Sequence, residues 1–254
     1  MKKFATILVL LVSLSGIAQN QNNALFSRAT DAYNEGDYGT AVEHYLKILK
    51  NGEHSSELYF NLGNSYYKMD QIAPSIYYYE KALLLKPNDP EIINNLGFAQ
   101  NMTLDAIEEL PETSLSRLYR NFTEFLSFEQ WAQTAVIFVL LFVLAYLGFY
   151  FFRYANRKRI AFITSMVSLV LAIVALTLAY LQYNDFMADR PAIVFPEESI
   201  IKSEPNTRSQ EVFKLHQGAK VNVLEQLNDW QKIELADGKT GWISSEDIRM
   251  LKDF

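Results

Sequence analysis

Two long stretches without a formal charge constrain this chain more than any other feature. Gln133–Phe152 has about 20 residues and Ile160–Leu181 about 22, and neither contains Asp, Glu, Lys or Arg. A helix rises roughly 1.5 Å per residue, so each stretch can span the roughly 30 Å of a bilayer's hydrocarbon core. The sequence therefore predicts transmembrane helices at residues 131–152 and 160–182.

The connection between these stretches predicts how the chain is oriented. Residues 153–159 contain four basic side chains and no acidic one, and short basic loops stay on the cytoplasmic side of a membrane. The flanking regions are acidic, with net charges of −7 over residues 19–110 and −4 over residues 182–254. We therefore expect an inner-membrane protein with two spans, a cytoplasmic loop at 153–159, and both soluble domains in the periplasm.

The second span carries a stripe of small residues at helical spacing. Small residues let helices approach closely in lipid, where hydrophobicity does not drive association. Two interpretations are open: the stripe receives the first span of the same hairpin, or it contacts another membrane protein. The stripe consists of Ser165, Ser168, Ala172, Ala175 and Ala179.

The stretch 1–18 has the pattern of an export signal. Lys2 and Lys3 precede an apolar run, and small residues around Ala18 are typical of a cleavage site. An uncleaved membrane helix is the alternative interpretation. Either interpretation places residue 19 onward outside the cytoplasm.

The region 22–109 contains an internal repeat. Residues 22–55 align with residues 56–89, and a third copy loses the pattern after Gly97. A period of about 34 residues is typical of tetratricopeptide repeats, which are pairs of antiparallel helices. We expect about five helices, the last running from Pro90 to about Glu109. Gly63, with Ala29 and Gly97 at the matching positions, is expected to let paired helices approach closely.

Tetratricopeptide domains generally bind peptides or partner domains on the concave face formed by the first helix of each repeat. Carried onto this sequence, that face is aromatic and rich in amides, and it lacks the several basic residues of a carboxylate clamp. The alternative is that some of these aromatic residues only pack on one another or on the last helix. The predicted groove consists of Phe26, Thr30, Tyr33, Phe60, Asn64, Tyr67, Asn94, Phe98 and Asn101.

Residues 110–130 form a juxtamembrane linker with an amphipathic pattern. Apolar residues from Leu115 to Leu126 recur at helical spacing with Arg117 and Arg120 between them, which predicts a short helix. It either lies on the bilayer surface or packs back onto the repeats. Ser127 and Gln130 predict a capping box that opens the first span.

Residues 190–254 consist of short runs of alternating polarity separated by turn residues such as Asp237-Gly238. Five or six short strands in about 60 residues predict a small β-barrel. Two tryptophan motifs, around Trp230 and around Gly241-Trp242, resemble those of bacterial SH3-like domains. Trp242 is expected in the core. Some members of that family bind peptidoglycan and many mediate protein contacts.

Residues that usually carry chemistry are scarce in this sequence. The chain contains no cysteine and three histidines, His44, His54 and His216, in remote segments. It has no metal-ligand spacing, phosphate loop or nucleophile elbow. We therefore predict no catalytic residue, no metal, no cofactor and no enzyme. The net charge of −6 also argues against a nucleic-acid partner.

The fold class predicted is multi-domain α + β: a helical repeat array, a transmembrane hairpin and a small SH3-like barrel. This order of parts, with Phe128-Glu-Gln-Trp131 at the entry to the first span, resembles the BatE-type proteins of bacterial aerotolerance operons. The resemblance implies a non-enzymatic scaffold or adaptor in an envelope complex, with von Willebrand A-type membrane proteins as partners beside the lipid bilayer. The alternative is a cell-wall attachment protein that binds peptidoglycan through the SH3-like domain.

Overall fold

A computed structural model describes residues 21–105, 107, 110, 111 and 113–253. Its internal contacts divide the chain into two compact units. One unit joins the residues up to 109 with those from 190 onward, and the other is Leu110–Asp189. The predicted signal peptide at 1–18 lies outside the described residues. The repeats and the C-terminal domain, expected as two separate modules, therefore belong to one compact unit.

The repeat region is helical throughout. Helix α1 covers residues 21–34, α2 is Tyr38–Lys50, α3 is Ser56–Lys68, α4 is Ile72–Leu85 and α5 is Pro90–Gln100. Side-chain oxygens cap several of these helices: the Ser55 hydroxyl accepts from the Leu58 N–H at the start of α3. Helix α5 ends at Gln100, so the expected extension to about Glu109 is wrong; Asn101 caps the helix and a turn follows.

Glycine at position 63 sets the distance between α3 and α4. A Cβ atom there would lie 2.6 Å from the Tyr79 ring, so only glycine admits this ring. The Ser75 hydroxyl also donates to the Gly63 carbonyl oxygen at 3.0 Å. Ala29 is fully buried as expected, but nothing lies within 4 Å of a Cβ at Gly97. The expectation for Gly97 is wrong because the described residues between α5 and Leu110 form no second helix to pack against it.

The C-terminal region folds into one antiparallel sheet of seven strands in the order β3-β2-β6-β5-β4-β1-β7. The seventh strand is three residues long and follows a single 3-10 turn at Ser245–Asp247, which is why the pattern of alternation missed it. The strands are β1 Pro191–Val194, β2 Glu198–Lys202, β3 Glu211–His216, β4 Lys220–Leu227, β5 Trp230–Glu234, β6 Thr240–Ser244 and β7 Ile248–Met250.

Alternation along the strands determines what the sheet buries. Ile233 and Ile243 point into one apolar core with residues of the other strands. Trp242 does not join this core; it is half-buried on the other face of β6, between the buried Gly241 and Ile243. The expectation of a core Trp242 is therefore wrong. The sheet and the helices together confirm the predicted multi-domain α + β class.

Strand β1 is buried on both of its faces. Ala192 and Val194 pack in the core of the sheet, whereas Ile193 belongs to the apolar cluster of the repeats, together with Ile76 and Tyr77 of α4. Leu251, just after β7, joins the same cluster. A strand with four buried residues in succession thus connects the sheet to the helices.

The second unit consists of α6 Ser114–Thr123, α7 Phe128–Phe151 and α8 Ala155–Ala188. By length and composition, α7 and α8 are able to cross a membrane. The predicted capping box of Ser127 and Gln130 is confirmed at the start of α7. The amphipathic helix α6 contacts α8, and the Tyr119 hydroxyl donates to Asp185 Oδ2 at 2.8 Å.

Two expectations about the hairpin are settled by its helix bounds and packing. Helix α8 begins at Ala155, so Arg157, Lys158 and Arg159 lie in its first turns and not in a loop, and it continues to Ala188, beyond the expected end at 182. An apolar run marks the part of a helix suited to lipid and not the whole helix. The small-residue stripe is buried, and since α7 and α8 pack along their lengths, it receives the first span.

Candidate protein-binding groove

A pocket of ≈ 320 Å³ opens on the repeat array where α1, α3 and α5 meet. Four of the nine predicted groove residues line it: Tyr33, Asn64, Tyr67 and Phe98. The other lining residues are Lys68, Tyr79, Glu91 and Asn95. Phe98 is 54% exposed, which is high for an aromatic side chain in a helix. We call this pocket and its rim the repeat groove.

Asn64 forms the polar centre of the repeat groove. Its Oδ1 accepts one hydrogen bond from the Tyr79 hydroxyl at 2.6 Å and a second from Asn95 Nδ2 at 2.9 Å. Burial raises the pKa of Tyr79 far above its ordinary value, so the phenol stays a neutral donor. These bonds join α3, α4 and α5 across the floor of the groove, and they fix the orientation of the Asn64 amide.

The remaining predicted residues do not line the pocket. Phe26 packs edge-on against Tyr45 at 5.4 Å, and the Thr30 hydroxyl lies 3.2 Å from the Tyr45 hydroxyl, so both belong to the packing of α1 on α2. Phe60 contacts the Tyr79 ring at 5.9 Å. Asn94 and Asn101 are exposed and lie outside the pocket lining.

Asn95, which the sequence analysis missed, has the role expected of Asn94. A shift by one repeat period relates Asn95 to Asn61 and relates Phe98 to Asn64. The repeat period thus predicts which face of α5 corresponds to the groove face of α3. It does not predict which of the two adjacent amides contacts α3. The hydrogen bond to Asn64 decides this, and it depends on how α5 is rotated against α3.

The charge at the repeat groove is small and mixed. Lys68 and Glu91 are the charged side chains among the lining residues. Burial raises the pKa of the Tyr33 phenol, which therefore stays neutral at physiological pH. The groove thus offers aromatic edges and amides with one charge of each sign. Such a surface suits an extended peptide or a loop better than a free terminal carboxylate.

The opposite side of α4 is covered by the sheet, in what we call the α4–sheet interface. Lys81 is only 5% exposed, and its ammonium group pairs with the Asp253 carboxylate. The same ammonium lies 5.0 Å from the Tyr59 ring centroid and 5.2 Å from that of Tyr77. The Tyr77 hydroxyl donates to Asp253 Oδ2 at 2.9 Å. A buried cation is thus matched by a carboxylate and by two aromatic faces.

Two further polar contacts and one close approach complete the α4–sheet interface. Lys220 Nζ donates to Glu80 Oε2 at 2.7 Å. The Asp105 carboxylate accepts from the His216 backbone N–H at 2.6 Å, and its other oxygen lies 2.8 Å from His216 Nδ1. Gly218 has φ +88°, and a Cβ there would lie 2.8 Å from Ile76 Cδ1. The sheet therefore covers the surface of α4 that a second helix of the third repeat would otherwise cover.

The face of β5 and β6 that points away from the sheet core carries both tryptophans of the C-terminal domain. Trp230 pairs with Ser244 and Lys232 pairs with Trp242 across the two strands. Trp230 and Trp242 are half-buried. This face offers an aromatic surface with an amine beside it, separate from the residues that contact α4.

Within the part of the chain that the structure describes, no three His, Cys, Asp or Glu side chains are grouped so that they could hold a metal ion. The two surfaces described above are the repeat groove and the outer face of β5 and β6.

Comparison with known families agrees with this architecture. The tetratricopeptide repeat model matches residues 56–89, and the bacterial SH3 domain model matches residues 199–249. The chain thus contains one segment similar to a tetratricopeptide repeat and one similar to bacterial SH3 domains, together with two helices apolar enough to cross a membrane. Both module types occur in proteins that act by binding other proteins or the cell wall.

A curated relative has a similar sequence over part of its length. The chain is 32% identical over 101 residues to a photosystem I assembly protein of Synechococcus sp. (strain CC9605). The match covers 38% of this chain and 58% of that protein. The chain thus spans little more than half the length of the relative.

Proposed function

We propose that this protein is a non-enzymatic inner-membrane scaffold or adaptor that presents the repeat groove to a partner protein in the periplasm. This proposal rests on one observation, the difference in exposure between the two sides of α4. The sheet covers one side of α4, while Phe98 and Tyr67 line an open pocket on the other side. The spans α7 and α8 anchor this surface at the membrane.

The proposed partner is a membrane protein of the same envelope complex. The order of modules resembles the BatE-type proteins of aerotolerance operons, so von Willebrand A-type membrane proteins are the candidates. The curated relative is by name an assembly protein, which supports an assembly role for this chain. The absence of cysteine from the sequence argues against direct thiol chemistry.

A photo-crosslinking amino acid placed at Phe98 tests this proposal in native membranes. The same amino acid at Ile93, which is 49% exposed on α5 but does not line the pocket, is the matched control. We expect a defined membrane-protein product from position 98 and none from position 93. Equal products from both positions, or none from position 98 in a folded protein, would contradict the groove assignment.

A substitution at Asn64 is a poor test of binding. Its side chain accepts from Tyr79 and Asn95, so Asn64→Lys would break the floor of the groove as well as its surface. Phe98 is exposed and can be replaced without opening the core. This is why the crosslinking experiment uses the rim of the groove.

The proposed topology has its own test, which uses single cysteines in a chain that has none. Asn156 lies in the first turn of α8 and Ala236 lies in an exposed turn of the sheet. In intact spheroplasts, an impermeant thiol reagent should modify Ala236→Cys and leave Asn156→Cys unmodified. The reverse pattern would place the basic end of the hairpin outside the cytoplasm.

A second candidate function is attachment to peptidoglycan through the bacterial SH3 domain. The outward Trp230 and Trp242 favour it, because aromatic faces bind sugars and peptides. The test uses the full chain in detergent, since an isolated 190–254 fragment would expose Ile193 and Leu251, which pack on α4. Cosedimentation with purified sacculi should fall with Trp242→Ala and not with Val212→Ala, an exposed position on β3. No cosedimentation of the unmodified chain would exclude this function.

A further inference from the structure

A cleft of ≈ 390 Å³ lies between the end of α7 and the start of α8. Its walls are mostly apolar, formed by residues such as Leu144 of α7, Phe152 just after α7, and Ile160 of α8. Arg157 also lines it and is the charged side chain among its lining residues. We call this space the hairpin cleft.

Small residues of both helices line the hairpin cleft. Gly148 and Ala161 face each other, and a Cβ at position 148 would lie 3.9 Å from the Ala161 Cβ. That same Cβ would lie 3.2 Å from the ring of Phe152, so the absence of a side chain at 148 leaves room beside this ring. The resulting space is lined mostly by apolar side chains, which suits a hydrocarbon chain.

The charged side chains at the mouth of the hairpin cleft are all basic. Four basic residues occur within 153–159, and the sequence contains no Asp or Glu between Glu129 and Asp185. Along α8, the distance from Arg157 to Asp185 is roughly 42 Å at about 1.5 Å per residue. Arg157 Cζ lies 5.5 Å from the Tyr154 ring, and Lys158 Nζ lies 5.9 Å from the Phe149 ring. No carboxylate of the described unit is therefore near enough to neutralise this end of the hairpin.

We infer that the hairpin cleft binds one anionic phospholipid, with an acyl chain along the apolar walls and the phosphate group at Arg157. This inference rests on the proposed placement of α7 and α8 across the membrane. An apolar cleft with a cation at its mouth matches a molecule that has a hydrocarbon chain and a negative head group. Free phosphate would use only the cation and leave the cleft walls without a partner.

The experiment is native mass spectrometry of the full chain released from detergent, after incubation with equal amounts of phosphatidylglycerol and phosphatidylcholine. We expect one phosphatidylglycerol to be retained preferentially. Arg157→Gln should reduce this preference roughly fivefold, the contribution of one basic residue at an anionic surface. Arg153→Gln is the matched control, because Arg153 belongs to the same basic cluster but does not line the cleft.

Three outcomes would overturn the inference. The first is equal retention of the two lipids by the unmodified chain, and the second is an unchanged preference in Arg157→Gln. The third is an equal loss of lipid preference in Arg157→Gln and Arg153→Gln, which would show that the anionic lipid is attracted to the basic cluster in general. Extraction of membranes with alkaline carbonate distinguishes failure of the lipid site from failure of the proposal that α7 and α8 cross the membrane. A chain that stays in the membrane pellet without lipid preference loses only the lipid site.

Discussion

Tyr77 and Tyr79 are neighbours on α4, separated by a single residue, and they belong to surfaces with opposite properties. Tyr77 lies at the α4–sheet interface, where its hydroxyl donates to Asp253. Tyr79 lies under the repeat groove, where its hydroxyl donates to Asn64. The interface uses ion pairs and a shared apolar cluster, whereas the groove satisfies its polar groups internally and leaves aromatic edges exposed. The first arrangement stabilises the fold, and the second leaves surface for a partner.

The difference shows how a short repeat array can be stable. Two and a half repeats end at α5, and an uncapped array would expose the apolar side of its last complete helix pair. Here Ile193 and Leu251 cover that side with residues from the sheet. The sheet therefore acts as the capping element of the array, and the stability of the repeats depends on residues that are remote in sequence.

Of the changes considered, we expect high pH to destabilise the α4–sheet interface the most. Burial raises the pKa of Tyr59, Tyr77 and Tyr78 well above the ordinary value of about 10. Below pH 10 the three neutral phenols contribute fully to the free energy of unfolding. Above pH 10 the unfolded chain loses phenolic protons that the folded chain keeps, so stability falls. Each tyrosine should contribute a loss of about 1.4 kcal/mol at pH 11, about 4 kcal/mol together.

Thermal unfolding in detergent between pH 8 and 11, with absorbance at 295 nm to follow tyrosinate, measures this loss. Lys81, Asp253 and Arg249 are charged groups near these rings. Tyr77→Phe is the control, since it removes one titrating phenol and should make the pH dependence shallower. A melting temperature that stays constant from pH 9 to 11 would contradict the burial of these phenols.

Gly218→Ala tests the close approach of the sheet to α4. Its backbone has φ +88°, which costs an alanine roughly 1–2 kcal/mol, and its new Cβ would meet Ile76 Cδ1 at 2.8 Å. We expect a total loss of about 2–4 kcal/mol, or a fall in melting temperature of roughly 4–16 °C. Gly52→Ala is the matched control, because Gly52 has φ +81° but nothing within 4 Å of its Cβ. Equal losses for the two variants would show that contact with Ile76 contributes nothing.

Asp253→Asn tests the ion pair at the same interface. The change removes the carboxylate that pairs with the buried Lys81 ammonium, although the Asp253 side chain is itself 46% exposed. We expect a loss of about 1–2 kcal/mol, below the value for a fully buried pair because solvent screens the exposed partner. Glu198→Gln is the control: its hydrogen bond with Lys214 lowers the pKa of Glu198, but both groups are exposed, and we expect no measurable change. A similar response of the two variants would contradict a special role for Lys81.

Local patterns were sufficient to predict most elements of the fold. The repeat period predicted the paired helices of the N-terminal region, and the uncharged stretches predicted α7 and α8. They did not predict the α4–sheet interface, because Tyr77 and Asp253 are far apart in the sequence and neither is unusual in its local context. One local signal was available: Ala192-Ile-Val-Phe195 is a continuous apolar run, which is typical of a strand buried on both faces.

The same limit applies to the repeat groove. The repeat period predicted one face for Tyr33, Asn64, Tyr67 and Phe98, and these residues line one pocket because the first helices of successive repeats share a face. It also included Asn94 and omitted Asn95, since a period in sequence does not fix the rotation of a helix about its axis. Lys81 offers another example: it looks like a surface lysine of an amphipathic helix, and only the sheet makes it buried.

The smallest predicted effect is also the sharpest test of the open side of α4. Asn95→Ala removes the donor to Asn64 Oδ1, and we expect it to be less stable than Asn94→Ala by about 1 kcal/mol. Both variants gain the same helix propensity, so the difference between their melting temperatures reports the hydrogen bond alone. Crosslinking from Phe98 should decrease in Asn95→Ala, because the Asn64 amide is no longer held in one orientation, and should persist in Asn94→Ala. If the two variants have equal stability and equal crosslinking, the Asn64 network does not organise the groove.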